Sequence, residues 1–190
     1  EYKPEYRNVS SMMWGRVWTR VANPVLSPMS RQVVWRSLNN ILPTRDRILR
    51  LGLRELDGRQ VQNAVCNRCA LRLQDSVVHL FSECGLVREA WCWVRRRFLE
   101  LLPDDMADLS NEEVLMMMYP KERFEDETVW LLGTYMDYVY EEAFIKGRLL
   151  TEATIRGYLK YMFYQSRTTK MPQLGYISQI TENLVFDDNG

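Results

Sequence analysis

The sequence predicts a mainly α fold, a small helical bundle followed by a second helical segment. Two observations support this class. Apolar residues recur at spacings of three and four, and turn signals separate these runs without any convincing strand pattern. The chain has 190 residues, of which 46% are hydrophobic and 12% aromatic, so it is long enough to bury a core.

The first predicted elements lie before any chemistry-bearing motif. Residues 1–27 read as a helical lead-in, and residues 28–42 as one helix whose apolar positions are Val33, Val34, Leu38, Ile41 and Leu42. Pro43 ends that helix. Thr44 then caps a short helix that runs to Leu51 and stops at Gly52.

The short helix carries a run of positive charge. Ile48 and Leu51 are its predicted buried positions, while Arg47, Arg50 and Arg54 recur at spacings of three and four and form a basic ridge. Because the arginine fork matches phosphate geometry, this ridge, with the neighbouring Arg45, is a candidate contact for nucleic acid.

Four potential metal ligands follow the basic ridge. Cys66, Cys69, His79 and Cys84 have the spacing Cys-x2-Cys, nine residues, His, four residues, Cys, and His79 is the single histidine of the chain. Thiolates and a neutral imidazole suit zinc, and a two-residue gap lets both cysteines of a tight turn point inward. We therefore predict one structural zinc ion and place the helical bundle around this knuckle. Four protein ligands leave no open position for catalysis.

Two other interpretations of these residues stay open. The cysteines could form disulfides, although nothing indicates secretion and His79 would have no role. They could also be buried free thiols beside a hydrogen-bonded core histidine. Cys92 is left out of the ligand set and is predicted to be an ordinary packed thiol.

The segment around His79 is predicted to be a short helix. Asp75 can cap a helix through Val77, Val78, Leu80 and Phe81 that presents His79 to the cysteine turn. His79 and Cys84 are five residues apart and cannot share one face of a straight α-helix. The helix should therefore end near residues 82–83, with Gly85 as a left-handed stop.

The next helix is predicted over about 86–102. Val87, Trp91, Val94, Phe98 and Leu101 repeat at spacings of four and three and form its inward face. Trp91 is interpreted as core support for the knuckle and not as a base-stacking platform. Arg95, Arg96 and Arg97 are either a solvated face or phosphate contacts, and the sequence favours neither.

Beyond Pro103 the composition becomes acidic. Ser110 and Glu113 form a capping box, a long amphipathic helix is predicted over about 125–146, and Thr151 caps another that reaches about residue 167. The predicted organisation is a lead-in over 1–27, a knuckle domain over 28–102, an acidic helical region over 103–170 that packs on it, and an extended or disordered tail over 171–190.

Charge is distributed unevenly although the net charge is zero. Residues 1–100 carry 17 lysines and arginines, 16 of them arginine, against 9 acidic residues. Residues 101–190 carry 8 lysines and arginines against 16 acidic residues. The basic half predicts a nucleic-acid partner. An alternative is that its arginines form salt bridges with the acidic half.

The knuckle resembles a known family. Cys66-Asn-Arg-Cys69, the stretch from Gln74 to Cys84, and Trp91 are similar to the zinc-binding domain that follows the reverse transcriptase in non-long-terminal-repeat retrotransposons. The stretch from Val33 to Arg45 is similar to the segment that precedes the first cysteine there. The resemblance covers about residues 30–100. It implies an accessory domain that helps a polymerase engage template or target. One open interpretation is that residues 1–27 are the end of an upstream polymerase thumb.

The resemblance does not extend to polymerase chemistry. The pairs Asp104-Asp105 and Asp187-Asp188 lack the aromatic-Ala-Asp-Asp setting of a polymerase palm, and with His79 committed to metal no general base remains. We therefore expect no catalytic residue in this chain. No run of 18 apolar residues appears and no signal pattern opens the sequence, which predicts an intracellular protein of the nucleus or cytoplasm without a membrane partner.

Two functional hypotheses follow. The first is DNA or RNA binding through the basic half, with phosphates contacted by Arg45, Arg47, Arg50, Arg54, Arg95, Arg96 and Arg97, next to an upstream polymerase domain of the same polyprotein. The second is a retrotransposon-derived module adopted by a host for protein interaction through the acidic, aromatic-rich region 103–170.

Overall fold

Seven α-helices and two π-helical turns account for most of the described chain. The computed structural model describes residues 10–55, 58–103, 106, 108–120 and 123–168. The α-helices are α1 (Ser11–Val21), α2 (Pro28–Leu38), α3 (Arg45–Arg50), α4 (Arg88–Glu100), α5 (Asn111–Leu115), α6 (Glu125–Val139) and α7 (Glu152–Thr168). The π-helical turns are π1 (His79–Glu83) and π2 (Tyr140–Ile145). Within these residues the only strand-like pairings are two isolated bridges, so the predicted mainly α class is confirmed.

Several helices begin at a capping side chain, including the predicted caps Thr44 and Ser110. The Ser27 hydroxyl accepts from the Ser30 N–H at the start of α2, and Thr44 does the same for α3. Ser110 and Glu113 form the predicted capping box at α5. These side chains replace the helical carbonyls that the first N–H groups of a helix lack, which fixes each starting point.

Two predictions about the first helices were wrong. Helix α2 ends at Leu38, not at residue 42, because Asn40 adopts a left-handed conformation with φ of 49° and breaks the helical path. Ile41 beyond that break is 38% exposed. On α3, Leu51 is 53% exposed although its spacing predicts burial, and Ile48 is only partly buried. A six-residue helix is too short for spacing to define an inward face reliably.

Helix α6 is the centre of the fold. It packs against α2, α4 and α7, and its side chains are buried on nearly all sides. Gly133 makes the approach of the α2 region possible, because a Cβ atom there would lie 2.1 Å from Cδ2 of Leu26. One hydrophobic core includes residues from α1, such as Val17, through to Phe163 on α7.

Arg20 on α1 is fully buried and bonds to the segment between α5 and α6. Its guanidinium donates to the carbonyls of Met117 and Tyr119 at 2.7 Å each and of Pro120 at 2.9 Å. It also pairs with Glu125 at 3.2 Å and lies 3.8 Å above the ring of Tyr119. A buried arginine with this many partners holds the connection between α5 and α6 against α1.

The predicted inward face of α4 is confirmed, since Val87, Trp91, Val94, Phe98 and Leu101 are all buried. Helix α7 packs on both α4 and α6, and Thr151 caps it as predicted through a bond from the Thr154 N–H. None of the described helices is long and apolar enough to cross a membrane. Asp104, Asp105 and the predicted tail over 171–190 lie outside the described residues.

Candidate metal centre

The structure brings the four predicted metal ligands together. One ligand atom from each of Cys66, Cys69, His79 and Cys84 lies within 4.8 Å of all the others. Cys66, His79 and Cys84 are buried and Cys69 is half-buried. None of the cysteines is in a disulfide, which removes that alternative.

The first two cysteines lie in a loop closed by backbone hydrogen bonds, which we call the knuckle loop (residues 64–75). The Cys66 N–H donates to the Leu73 carbonyl at 2.9 Å, and the Asp75 N–H donates to the Ala64 carbonyl at 2.7 Å. Inside the loop the Arg68 N–H donates to the Cys66 sulfur at 3.4 Å. This bond stabilises negative charge on that sulfur, as a metal-binding thiolate requires.

A π-helical turn supplies the other two ligands. The Cys84 N–H donates to the His79 carbonyl at 2.7 Å, a bond between residues five apart. In an α-helix a residue five positions on would point about 140° away from His79. The helical segment ends at Glu83, as predicted, and the wider π-helical turn before that end brings both side chains to the same side. π-Helical turns are rare and frequently occur at functional sites.

Two predictions about the surroundings of His79 were wrong. Ser76, not Asp75, caps this helical segment, because its hydroxyl accepts from the His79 N–H at 3.0 Å. Gly85 is not among the residues with positive φ, so it is not a left-handed stop. Glycine instead leaves room for Cys69, because a Cβ atom on Gly85 would lie 3.3 Å from the Cβ of Cys69.

The donor set fits a tetrahedral metal ion such as zinc. Sulfur and nitrogen ligands about 2.3 Å and 2.1 Å from a shared ion lie about 3.6 Å apart at the tetrahedral angle. The Cys69 Sγ and His79 Nε2 atoms are 3.6 Å apart. Three thiols and an imidazole are the ligands of closed structural zinc sites. Cys66, Cys69, His79 and Cys84 would therefore hold the ion through Sγ and Nε2 atoms.

Hydrogen bonds couple the protonation of the four ligands. A hydrogen bond from the Cys84 thiol lowers the pKa of Cys66 to about 3, and the same bond raises the pKa of Cys84. Burial disfavours charged His79, but the hydrogen bond and negative charge of Cys66, then of Cys69, outweigh it and raise the pKa of His79. These directions favour a thiolate on Cys66 and protons on Cys84 and His79, and a metal ion would have to displace those protons to bind all four ligands.

The Nδ1 side of the His79 ring makes no hydrogen bond. This buried atom has no hydrogen-bond partner, which argues against an ordinary hydrogen-bonded core histidine. The Oε2 atom of Glu83 lies 3.8 Å from it, which is too far for a hydrogen bond.

Asp75 links the knuckle loop to α3. Its side chain is fully buried, accepts the backbone N–H of Arg45 at 2.8 Å, and pairs with the guanidinium of Arg68. Burial raises the pKa of Asp75, while the charge of Arg68 and the N–H of Arg45 oppose that rise. Arg68 lies between Cys66 and Cys69 in the sequence, so one carboxylate connects the ligand loop to the first residue of α3.

Trp91 is a buried core residue, as predicted. It lies 3% exposed, donates from Nε1 to the Asn111 side chain at 3.0 Å, and stands 5.5 Å from the ring of Tyr135. The Tyr135 hydroxyl in turn donates to the Phe81 carbonyl in π1 at 2.6 Å. The π-helical turn is thereby attached to the central helix α6.

The seven arginines predicted to contact phosphates all have partners within the protein. On the basic ridge and beside it, Arg45 pairs with Glu55, Arg47 donates to the Asn40 carbonyl, Arg50 pairs with Asp46, and Arg54 donates to the Gly58 carbonyl. On α4, Arg95 donates to the Leu109 carbonyl, Arg96 pairs with Glu152, and Arg97 pairs with Glu100 and lies over the Trp93 ring. Only Arg95 and Arg96 of these reach the acidic half.

Several features were not found from the sequence. Arg20 and Asp75 are buried charged residues. Arg20 bonds to residues far away in sequence and Asp75 to a backbone N–H, so no local sequence spacing marks either residue. Cys92 is exposed, contrary to the predicted packed thiol. Most aromatic residues of α6 are core, whereas Tyr161 and Tyr164 on α7 are more than half exposed. The predicted protein-interaction role of residues 103–170 stays a prediction.

Comparison with known proteins adds no relative. Neither protein-family models, curated proteins nor solved structures match this chain.

Proposed function

We propose that this chain is a nucleic-acid-binding accessory zinc domain, of the type that follows reverse transcriptases in non-long-terminal-repeat retrotransposons. In this proposal one structural zinc ion organises a small helical bundle and holds the basic ridge in place. The observation that carries it is the buried Asp75 carboxylate, which joins the ligand loop at Arg68 to the start of α3 at Arg45.

The ion has a structural role in this proposal. Four protein ligands complete a tetrahedral zinc shell, so no position is left for an activated water. What metal binding supplies is order: a loop with little regular structure becomes a fixed base for α3. Metal loss would therefore act on nucleic-acid binding through the position of the arginines.

The ridge can exchange its own carboxylates for phosphates. Arg50 is 43% exposed, and Arg54 is exposed. Exposed ion pairs such as that of Arg50 with Asp46 contribute little to stability, so a phosphate can replace the carboxylate at small cost. Arg95 and Arg97 are held more firmly, by a carbonyl and by an indole ring, and contribute less in this proposal.

Salt dependence tests the proposal directly. With about four to six phosphates neutralised, log affinity for single-stranded or duplex DNA or RNA should fall with log salt at a slope of roughly −3 to −5. The double variant R50Q/R54Q should flatten that slope by about two, since each phosphate contact contributes about one. The matched control R123Q/R148Q removes two exposed arginines outside the basic half and should leave the slope unchanged. A flat response of the zinc-loaded protein would contradict the proposal.

The Asp75→Asn variant tests the connection between the metal site and the basic ridge. The direction in which it changes nucleic-acid affinity is informative. Removing a negative charge would by simple electrostatics strengthen nucleic-acid binding. If Asp75 holds the ridge in place, D75N should instead weaken binding several-fold while the protein still takes up zinc. Fluorescence anisotropy with a labelled oligonucleotide measures this, and tighter binding by D75N would disprove the connection.

A further inference from the structure

A groove between the knuckle loop and α4 is not explained by the zinc site or by the basic ridge. It has a volume of about 1160 Å³ and is open to solvent along its length. Small-molecule pockets usually enclose about 300–1,000 Å³ and bury most of their ligand. A groove this large and open fits a segment of a macromolecule better.

One wall of the groove is apolar. Leu71 and Leu73 of the knuckle loop are 44% and 45% exposed and line this wall, and Leu99 adds an apolar side chain on the opposite side, from α4. Aliphatic side chains held out on a loop do not contribute to the protein's own core. They are the type of surface that an apolar face of a partner can cover.

The other wall is cationic and has a defined spacing. Arg88 and Arg95 line the groove seven residues apart on α4, which corresponds to about 10.5 Å along one helical face. Arg96 lies beside them and its side chain is 61% exposed. The bond from Arg95 to the Leu109 carbonyl fixes that guanidinium without neutralising its charge.

We propose that this groove docks an amphipathic helix of a partner protein, lying along α4. The helix would carry two acidic residues seven positions apart, opposite Arg88 and Arg95, and aliphatic residues at spacings of three and four against Leu71 and Leu73. The charge complementarity and the aliphatic wall together identify this partner chemistry.

Single-stranded nucleic acid fits the groove less well. Such surfaces usually offer aromatic rings on which bases stack, whereas the groove's aromatic residue, Trp91, is 3% exposed. The groove therefore takes a different ligand from the basic ridge, and of the arginines assigned to phosphate contacts it includes Arg95 and Arg96.

Cys92 allows the groove to be tested in the intact, zinc-loaded chain. It is an exposed thiol that lines the groove, while metal binding would protect the other three cysteines from alkylation. The probe is a synthetic Ala/Gln-based helical peptide of about fifteen residues, with leucines at spacings of four and three and two glutamates seven apart. The control peptide has lysines in place of the glutamates.

The glutamate peptide at saturation should slow alkylation of Cys92 about tenfold or more, and the lysine peptide should not. The charge-reversed variant R88E/R96E should lose protection by the glutamate peptide and gain protection by the lysine peptide. R88E alone should show the same reversal more weakly, without touching the Arg96–Glu152 pair. The control R59E reverses an arginine outside the groove and should behave as the parent.

Three results would overturn the proposal. The glutamate peptide could give no protection at millimolar concentration, or both peptides could protect equally, which would show apolar adhesion alone. Protection by oligo-dT or oligo-U that R88E/R96E abolishes would instead make the groove a nucleic-acid site. Oligonucleotide binding is measured separately by anisotropy, so failure of the groove and failure of the proposed function are distinguishable.

Discussion

The knuckle loop with π1 and the helices around α6 are stabilised in different ways. The knuckle loop has one isolated bridge and no regular strand, and several of its apolar side chains are exposed. The contacts of Asp75 hold it, and a metal ion bound by the four convergent ligands would add to them. Helix α6, in contrast, is buried on nearly every side by apolar neighbours. One region is specified by a few polar contacts and the other by many apolar ones.

This contrast predicts how each region should lose its structure or stability when it is perturbed. A loop that depends on a few polar contacts loses its structure when one of them is removed, because little else orders its backbone. A packed core loses stability in proportion to the volume or buried polar group that a substitution changes.

Metal removal should have the largest effect. Structural zinc sites in small peptides have apparent binding energies of about 10–16 kcal/mol, so about 10 μM free zinc would stabilise the folded state by roughly 3–9 kcal/mol. A chelator, or Cys66→Ser, should lower the melting temperature strongly. Hydrogen exchange should rise first in residues 64–86 and last in α6.

Cys92→Ser is the matched control for this experiment, because Cys92 lies outside the ligand cluster. It should leave the melt and the zinc content, one ion per chain by elemental analysis, unchanged. An unchanged melt in chelator, or equal exchange in both regions, would show that the cluster does not hold a structural metal.

Arg20→Ala should have the next largest effect on stability. It tests the contrast between the two regions, since Arg20 makes polar contacts within the packed helical region. Its loss leaves three carbonyls and Glu125 without their donor in a buried setting. We expect a loss of about 3–5 kcal/mol in the free energy of unfolding in urea. Zinc affinity, measured by competition with a chelating dye, should stay unchanged. Arg16→Ala on the same helix is the control and should cost far less.

Two glycines test packing with the same substitution. Gly133→Ala places a Cβ atom against Leu26 in the core, and we expect a net loss of about 1 kcal/mol, because overpacking outweighs the gain in helix propensity. Gly157→Ala on α7 meets no atom within 4 Å and should raise stability by about 0.5–1 kcal/mol. Opposite signs in thermal melts would confirm this, and equal signs would contradict the close contact at Gly133.

The smallest expected effect is a pH dependence at the end of π2. Hydrogen bonds from Lys146 and then Arg148 lower the pKa of Glu142 below its ordinary 4.5. A lowered pKa in the folded state adds stability above pH 4.5, and that stability is lost as pH falls through the lowered value. Glu142→Gln should therefore be slightly less stable than the parent at pH 7 and equal to it in strong acid. A difference that grows in acid would contradict the assignment.

The sequence predicted those parts of the molecule that depend on local patterns. The spacing of Cys66, Cys69, His79 and Cys84 predicted the ligand cluster, since each residue type is itself a metal donor. The repeat through Val87, Trp91 and Phe98 predicted the inward face of α4, because apolar spacing and helix geometry share one period. Ser110 and Thr44 marked helix starts through their capping chemistry.

The parts that could not be predicted depend on contacts between distant segments. Arg20 finds its acceptors about 100 residues later, and nothing near it in sequence distinguishes it from a surface arginine. Asp75 was assigned a local capping role because its tertiary partner, the Arg45 N–H, is thirty positions earlier. The role of Gly85 follows from the position of Cys69 across the cluster.

The π-helical turn between His79 and Cys84 also has a consequence for how this motif tolerates changes in length. Such a turn holds one residue more than an α-helical turn spanning the same connection. Deleting one residue from the stretch 80–83 would give an α-helical turn whose ends are four apart and still on one side. The geometry therefore predicts that the site accepts two ligand spacings, and that loss of a single codon there need not abolish metal binding. A search for related chains should accept either spacing.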